Sequence, residues 1–228
     1  MVDIKAFPYL GFVRFDLPNK EFDRQFNIYF DDHIQELANK PGYSTSWRTK
    51  EMRGADFSYN DGLQEQEYQQ IYSIKEPGVF ISFPANPPPP VQEKEPWRRD
   101  LGNWGRVFYR TLSLIEKDNR AGRCWARCEY HFKGMGAAET QFQSDTAQHL
   151  KRVLELPGVH RIWQLQHAPT PAQIGADPVG KYMNMFEIDA PENLFDPSLG
   201  EDRLPLKAGQ EFAGRHFTRL LLKAEPQR

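Results

Sequence analysis

Alternating and helical hydrophobic patterns follow one another along this chain, and the whole series then runs a second time. The first alternating stretch is Tyr9 to Asp16. Its later counterpart is Arg123 to Phe132, where Cys124, Ala126, Cys128, Tyr130 and Phe132 alternate with Arg123, Trp125, Arg127, Glu129 and His131. A period of two is the mark of a strand with two different faces. A helical pattern follows each strand: Phe22, Phe26, Tyr29, Phe30, His33, Ile34 and Leu37 in the first series, and Phe142, Thr146, His149, Leu150, Val153 and Leu154 in the second. Spacings of three and four place each set on one helix stripe. Both patterns stop at Pro-Gly, Pro41-Gly42 and Pro157-Gly158, which ends a helix and permits a sharp turn. Second strands are expected at Tyr43 to Lys50 and Val159 to His167, third strands at Tyr68 to Ile74 and Tyr182 to Ile188, each of the latter closed by a proline. A weak helical segment comes next. In the first series it carries a proline-rich excursion over 84–96, whose four consecutive prolines are stiff polyproline II and read as a surface spacer. Fourth strands run from Arg106 to Ile115 and from Arg215 to Lys223.

The two series also agree residue by residue. Tyr68-Gln-Gln-Ile-Tyr-Ser-Ile-Lys-Glu-Pro77 matches Tyr182-Met-Asn-Met-Phe-Glu-Ile-Asp-Ala-Pro191. His33 stands eight residues before Pro41, as His149 does before Pro157, and Trp47 and Trp163 each follow six after the proline. Gly105-Arg-Val-Phe-Tyr-Arg echoes Gly214-Arg-His-Phe-Thr-Arg. The offsets drift from 116 through 114 to 109, as small loop deletions would produce. The chain therefore reads as a tandem duplication, with one unit over 1–118 and another over 119–228. Strand, helix, strand, strand, weak helix, strand is the ferredoxin-like plan, an α+β fold with an antiparallel four-stranded sheet and helices on one face. Each sheet then has a bare face, and a duplicated chain covers both by bringing the sheets together as a barrel.

These segments resemble the dimeric α+β barrel superfamily, and within it the EthD-like or stress-responsive branch. The resemblance rests on Tyr29-x-x-x-His33-x-x-x-Leu37-x-x-x-Pro41-Gly42, on its repeat ending at His149 and Pro157-Gly158, and on the two Tyr-x-x-x-aromatic-x-Ile-x-x-Pro strands. It covers almost the whole chain, twice. It implies a barrel built inside one chain, where relatives usually build it between two, and a site in the cleft between helix and sheet. Tandem members of the superfamily such as the chlorite dismutases also bring in haem binding, which would need a histidine of the second unit as axial ligand.

Composition narrows the function. The 228 residues are 39% hydrophobic and 26% charged with a net charge of −2, so no basic field invites nucleic acid. No apolar run reaches the length of a membrane span, and the N-terminus lacks a charged-then-apolar leader pattern, so a cytoplasmic location is expected. Cys124 and Cys128 share one strand face roughly 13 Å apart, too far for a disulfide, and read as buried thiols. No phosphate loop, dinucleotide fingerprint, nucleophile elbow or His-Glu-x-x-His is present, and no metal site is expected.

Five of the six histidines lie in the second unit, which points to a reactive pocket there. His149 and His33 are the pair shared by both helices and suit acid/base work, since imidazole titrates near neutrality. His131, on a strand face with Glu129, Arg127 and Trp125, and His216, on the fourth strand, are further candidates to assist His149. Trp163, Tyr182, Trp125, Tyr130, Trp47 and Tyr68 are aromatic candidates to line a pocket for a flat ligand, with Arg219 to bind an oxygen of it. The expected function is a cofactor-independent lyase, isomerase or cyclase working by histidine proton transfer on a small aromatic, polyketide-like or lactone substrate. Such chemistry belongs to the catabolism of aromatic compounds. The alternatives are a non-catalytic small-molecule binder of a degradation pathway, or a haem-binding barrel. Nucleic-acid and membrane partners are not expected, and a monomer or homodimer is.

Overall fold

Alternation at period two becomes eight antiparallel strands in the computed structural model, which describes residues 3–52, 66–80, 101–118, 120–133, 135–175, 180–194 and 210–227. The elements are β1 (Tyr9–Asp16), α1 (Asp23–Ala38), β2 (Tyr43–Glu51), β3 (Tyr68–Ile74), β4 (Gly102–Glu116), β5 (Cys124–Phe132), α2 (Ala137–Leu154), β6 (Val159–His167), β7 (Tyr182–Ile188) and β8 (Gln210–Ala224). Short 3-10 turns, Pro77–Phe80 and Pro191–Leu194, follow β3 and β7 where weak helices were expected. The proline-rich excursion over 84–96 lies outside the described residues.

The strands close into one barrel in the order β1-β3-β2-β8-β5-β7-β6-β4. Within it, β4-β1-β3-β2 and β8-β5-β7-β6 are the same ferredoxin-like order, so the expected fold class holds. Two joints complete the ring: β2 with β8, and β4 with β6. The fourth strands, 15 residues each, are longer than the sequence pattern alone marks. Their length has a reason. Gly102 to Arg110 of β4 pairs with β1, whereas Tyr109 to Glu116 pairs with β6. In the same way Gln210 to Arg219 of β8 pairs with β5, and Thr218 to Ala224 with β2. Each long strand begins in one sheet and ends in the other, which leaves no open sheet edge at the joints.

Three contiguous cores result. Phe26, Phe30, Ile34 and Leu37 of α1 pack on Val13, Phe15, Tyr68, Tyr72 and Phe108. Phe142, Leu150 and Val153 of α2 pack on Ala126, Cys128, Tyr130, Ile162, Phe186 and Phe217. The third core fills the barrel lumen with Leu10, Phe12, Trp47, Ile71, Tyr109, Trp125, Trp163, Met183 and Met185. Both faces of the central strands are therefore covered, and every residue of β3 and β7 is buried. Chain crosses between the units: Ala172, from the loop after β6, and Ala224 of β8 belong to the α1 core.

Each helix is fastened to its sheet in the same two ways. At its start, the Tyr68 hydroxyl donates to Asp23 at 2.6 Å, and the Tyr182 hydroxyl donates to Glu139 in the first turn of α2. An acid there also favours the positive end of the helix dipole. The Tyr182 hydrogen bond, and then Lys181, hold the Glu139 carboxyl below its usual range. At the other end, Gly42 and Gly158 adopt φ of 87° and 75°, which lets the chain turn straight into β2 or β6. Their carbonyls accept from the Lys75 and Asp189 amides at 2.8 and 2.9 Å.

These turns generate a stability prediction. A Cβ on Gly158 would sit 2.5 Å from Asn193, whereas a Cβ on Gly136, also at positive φ, meets nothing within 4 Å. Gly158→Ala should therefore cost about 2–3 kcal/mol by urea denaturation, and Gly136→Ala about 1 kcal/mol. Equal losses would show that the Asn193 contact does not matter.

Candidate functional site

The residues singled out in the sequence divide between two places. Trp47, Trp125, Trp163, His131 and His216 stand on the lumen-facing side of their strands. Tyr68, Tyr130, Tyr182, His33 and His149 belong to the helix–sheet interfaces. Arg219 is exposed on β8 and joins neither group.

The lumen holds a paired set of charges around its indoles. Arg127 approaches His216 Nδ1 at 3.1 Å, and His216 Nε2 lies 3.3 Å from Glu51. A guanidinium only donates, so Nδ1 accepts and the proton sits on Nε2, where it points at the carboxylate. Arg161 donates to Glu187 at 2.5 Å and to Glu116 at 2.8 Å. Burial raises the Glu187 carboxyl above its ordinary range, and Arg161 opposes that shift. His131 is half-buried at the end of β5.

The other second-unit histidines have structural partners. His160 sits between Asp118 and Asp189, with its ring nitrogens 3.1 and 3.0 Å from carboxylate oxygens. The ring thereby ties the end of β4 to the end of β7. His167 Nε2 is 3.0 Å from Gln173 Oε1. His149 is 3% exposed on the buried stripe of α2, over the apolar core of the second interface. His33 is half-buried and stacks on Tyr29, with centroids 5.4 Å apart.

The two helix–sheet interfaces differ most where they should match. Val159, Ile162, Gln164, Asn184 and Phe186 face α2. The equivalent positions under α1 are Tyr43, Ser46, Arg48, Gln70 and Tyr72, all buried. Arg48 is 1% exposed and donates to Asp31 at 2.6 Å, to the Asn27 carbonyl at 3.3 Å and to Asn27 Oδ1. The Tyr72 hydroxyl donates to Gln70 Oε1. Tyr43 and Tyr72 meet edge to face at 6.0 Å, and each packs on Phe80 at 5.6 Å. Burial pushes both phenols well up, with the Arg106 charge opposing it at Tyr43 and the Arg48 charge at Tyr72. Both are therefore neutral donors at any physiological pH.

Four buried side-chain atoms of the β2 and β3 residues under α1 have no hydrogen-bond partner among the described residues: Tyr43 Oη, Ser46 Oγ, Arg48 Nε and Gln70 Nε2. Each such group costs about 1–3 kcal/mol if left so, and native structures leave few of them. The corresponding strand residues of the second interface show one, Asn184 Nδ2. This cluster escaped the sequence reading because no residue in it has a rare type or a motif spacing. Its signal was there in the comparison of the two halves of the barrel: Tyr43, Ser46 and Tyr72 in one where the other has Val159, Ile162 and Phe186.

Among the described residues no group of three or more His, Cys, Asp or Glu is placed to hold a metal ion, and no helix is long and apolar enough to cross a membrane. The second interface does not fit a haem. Phe142, Leu150, Phe186 and Phe217 form one contacting cluster with the residues around them, and a planar macrocycle would have to displace it. Both ring nitrogens of His160 and of His216 are engaged.

No protein-family model matches the chain, and no curated protein does. Solved structures do match over nearly its whole length. An anthrone oxidase-like protein aligns with 100% of this chain and 97% of its own, at a TM-score of 0.59 and 7% identity. A candidate monooxygenase from Fusobacterium nucleatum covers 96% and 95%, with a TM-score of 0.58 and 8% identity. A candidate chlorite dismutase covers 93% and 94%, with a TM-score of 0.57 and 11% identity. The likeness is one of fold.

The thiols yield a test of how closed the second interface is. Cys124 and Cys128 are buried thiols outside any disulfide, and burial pushes the Cys124 thiol up to about 12. The thiolate is the reactive form. At pH 8 the native protein should consume almost no thiol reagent such as 5,5′-dithiobis(2-nitrobenzoate), and the urea-unfolded protein should consume both equivalents. Rapid native labelling would mean that this interface opens readily.

Proposed function

We propose that this chain is a small-molecule enzyme whose working site is the interface between α1 and strands β2 and β3. We propose further that it acts on a carbonyl-bearing, aromatic or polyketide-like molecule by proton transfer without a cofactor. The observation that carries this reading is the set of four buried atoms under α1 with no protein partner. Arg48 Nε and Gln70 Nε2 can only donate. The Tyr43 and Ser46 hydroxyls can donate as well. What complements them is an oxygen-rich guest, and the neighbouring rings of Tyr43, Tyr72 and Phe80 suit a flat one.

The chemistry follows from the donors. A carbonyl oxygen held by Arg48 and Gln70 is polarised, and negative charge developing on it during loss of an adjacent C–H proton is stabilised where the donors already stand. Tyr72, through its hydrogen bond to Gln70 Oε1, turns the amide so that its NH2 faces the other way. His33, half-buried on α1 and stacked on Tyr29, is the base assigned to take that C–H proton and exchange it with solvent. His149 becomes a packing residue of α2 in this reading. The two units are read as tandem copies of an EthD-like module, 1–118 and 119–228. The first keeps the polar site and the second buttresses it through Ala172 and β8.

Solvent exchange tests the reading without knowledge of the natural substrate. 2-Tetralone, an enolisable aromatic ketone, is the probe, and deuterium uptake at its α-carbon is followed by NMR in D2O. Wild type should accelerate uptake. Gln70→Leu and His33→Ala should lower the rate about 10²-fold or more, while His149→Ala stays within about twofold. Saturable binding with no acceleration would overturn the catalytic claim and leave a binder. Loss of exchange only in His149→Ala would return the site to the second unit.

A further inference from the structure

The barrel lumen contains a feature that the α1 site does not use. Trp47, Trp125 and Trp163 are 0%, 1% and 0% exposed, and their ring centroids lie 5.0–6.0 Å apart. Each indole N–H is buried and meets no acceptor among the described residues. An indole N–H donates and cannot accept, so the three rings do not satisfy one another. Carboxylates do reach the lumen, yet they are taken: Glu187 by Arg161 and the Gly122 amide, Glu129 by the Gly180 amide with Arg127 at 4.0 Å, and Glu51 by His216. Because these charges pair among themselves, the lumen opposes neither sign of guest strongly.

We propose that the lumen binds a small inorganic monoanion, of halide or nitrate size, at the indole N–H groups of Trp47, Trp125 and Trp163. Three N–H donors without an acceptor ask for a guest that accepts, and an anion is the strongest such guest. Water fits less well, since its own protons would then need acceptors, and the side chains of this cluster offer the Tyr109 hydroxyl oxygen for two of them. The crowding of three indoles in one cluster limits the guest to an ion of one or a few atoms. Two of the three rings, Trp47 and Trp163, are equivalent in the two units. The third, Trp125, stands where the first unit has Leu10, so the complete donor set belongs to this pairing of units. The site is separate from the one under α1, and neither depends on the other.

The test is bromide titration of 15N-indole-labelled protein, read from the five tryptophan Nε1–H cross-peaks, with sodium gluconate holding ionic strength constant. Trp47→Phe, Trp125→Phe and Trp163→Phe assign the three lumen signals while keeping an aromatic ring in place. These three signals should shift together and saturably with one dissociation constant, while the remaining signals stay still. Trp163→Phe should weaken bromide about tenfold in the two signals left. Lumen signals that stay unmoved up to molar bromide, or that drift linearly with those of the other indoles, would overturn the proposal. So would lumen signals that exchange rapidly with water and ignore the anion, since the guest would then be solvent. If one variant fails to fold, the wild-type titration and the other two variants still decide the matter.

Discussion

The structure depends on two strands that change sheets. β4 and β8 each spend their first part in their own unit and their last part beside a strand of the other. Without that handover, β2 and β6 would present open backbone edges, and both sheets would expose a face carrying a tryptophan. With it, backbone hydrogen bonding closes into a ring, and the lumen side chains become a core. Helix packing on the outside is then free to vary, because closure does not rest on it. That freedom separates the two interfaces: one carries Val159, Ile162 and Phe186 where the other carries Tyr43, Ser46 and Tyr72.

Burial explains why those polar groups carry weight. A solvent-facing Tyr-Ser-Arg-Gln set would be unremarkable. Here Arg48, Gln70 and Tyr72 are each 1% exposed, and Ser46 is 0% exposed. Desolvation keeps the phenols protonated, and Asp31 and Asn27 hold the Arg48 guanidinium in place while its Nε is left over. Fixed donors in a dry interface do not have to reorganise as charge develops, which is the condition for electrostatic catalysis. The apolar counterpart under α2 lacks these fixed donors.

Much of the fold was legible in the sequence because strand alternation, the Pro-Gly stops and the repeat all pointed to the same plan. β1, β3, β6 and β7 have the limits that the pattern predicts. The extra length of β4 and β8 was not legible, since hydrophobic pattern marks burial and says nothing about which strand supplies the partner. The site was harder to see. In β3 and β7 every residue is buried, so period two does not tell the lumen side from the helix side. Histidine number drew attention to the second unit, where the rings of His160 and His216 lie within hydrogen-bonding distance of carboxylates in the barrel wall and lumen. Chemical type alone did not separate those contacts from a reactive group. The position-by-position difference between Tyr43, Ser46 and Tyr72 and Val159, Ile162 and Phe186 is what marks out the proposed site.

The most direct test of the account is an atomic-resolution crystal structure of the protein as purified, with attention to electron density between α1 and β2–β3. The account predicts ordered density, from a bound molecule or a chain of waters, within hydrogen-bonding distance of Tyr43 Oη, Ser46 Oγ, Arg48 Nε and Gln70 Nε2. Those four atoms satisfied by one another or by neighbouring protein groups, with no density between them, would contradict it.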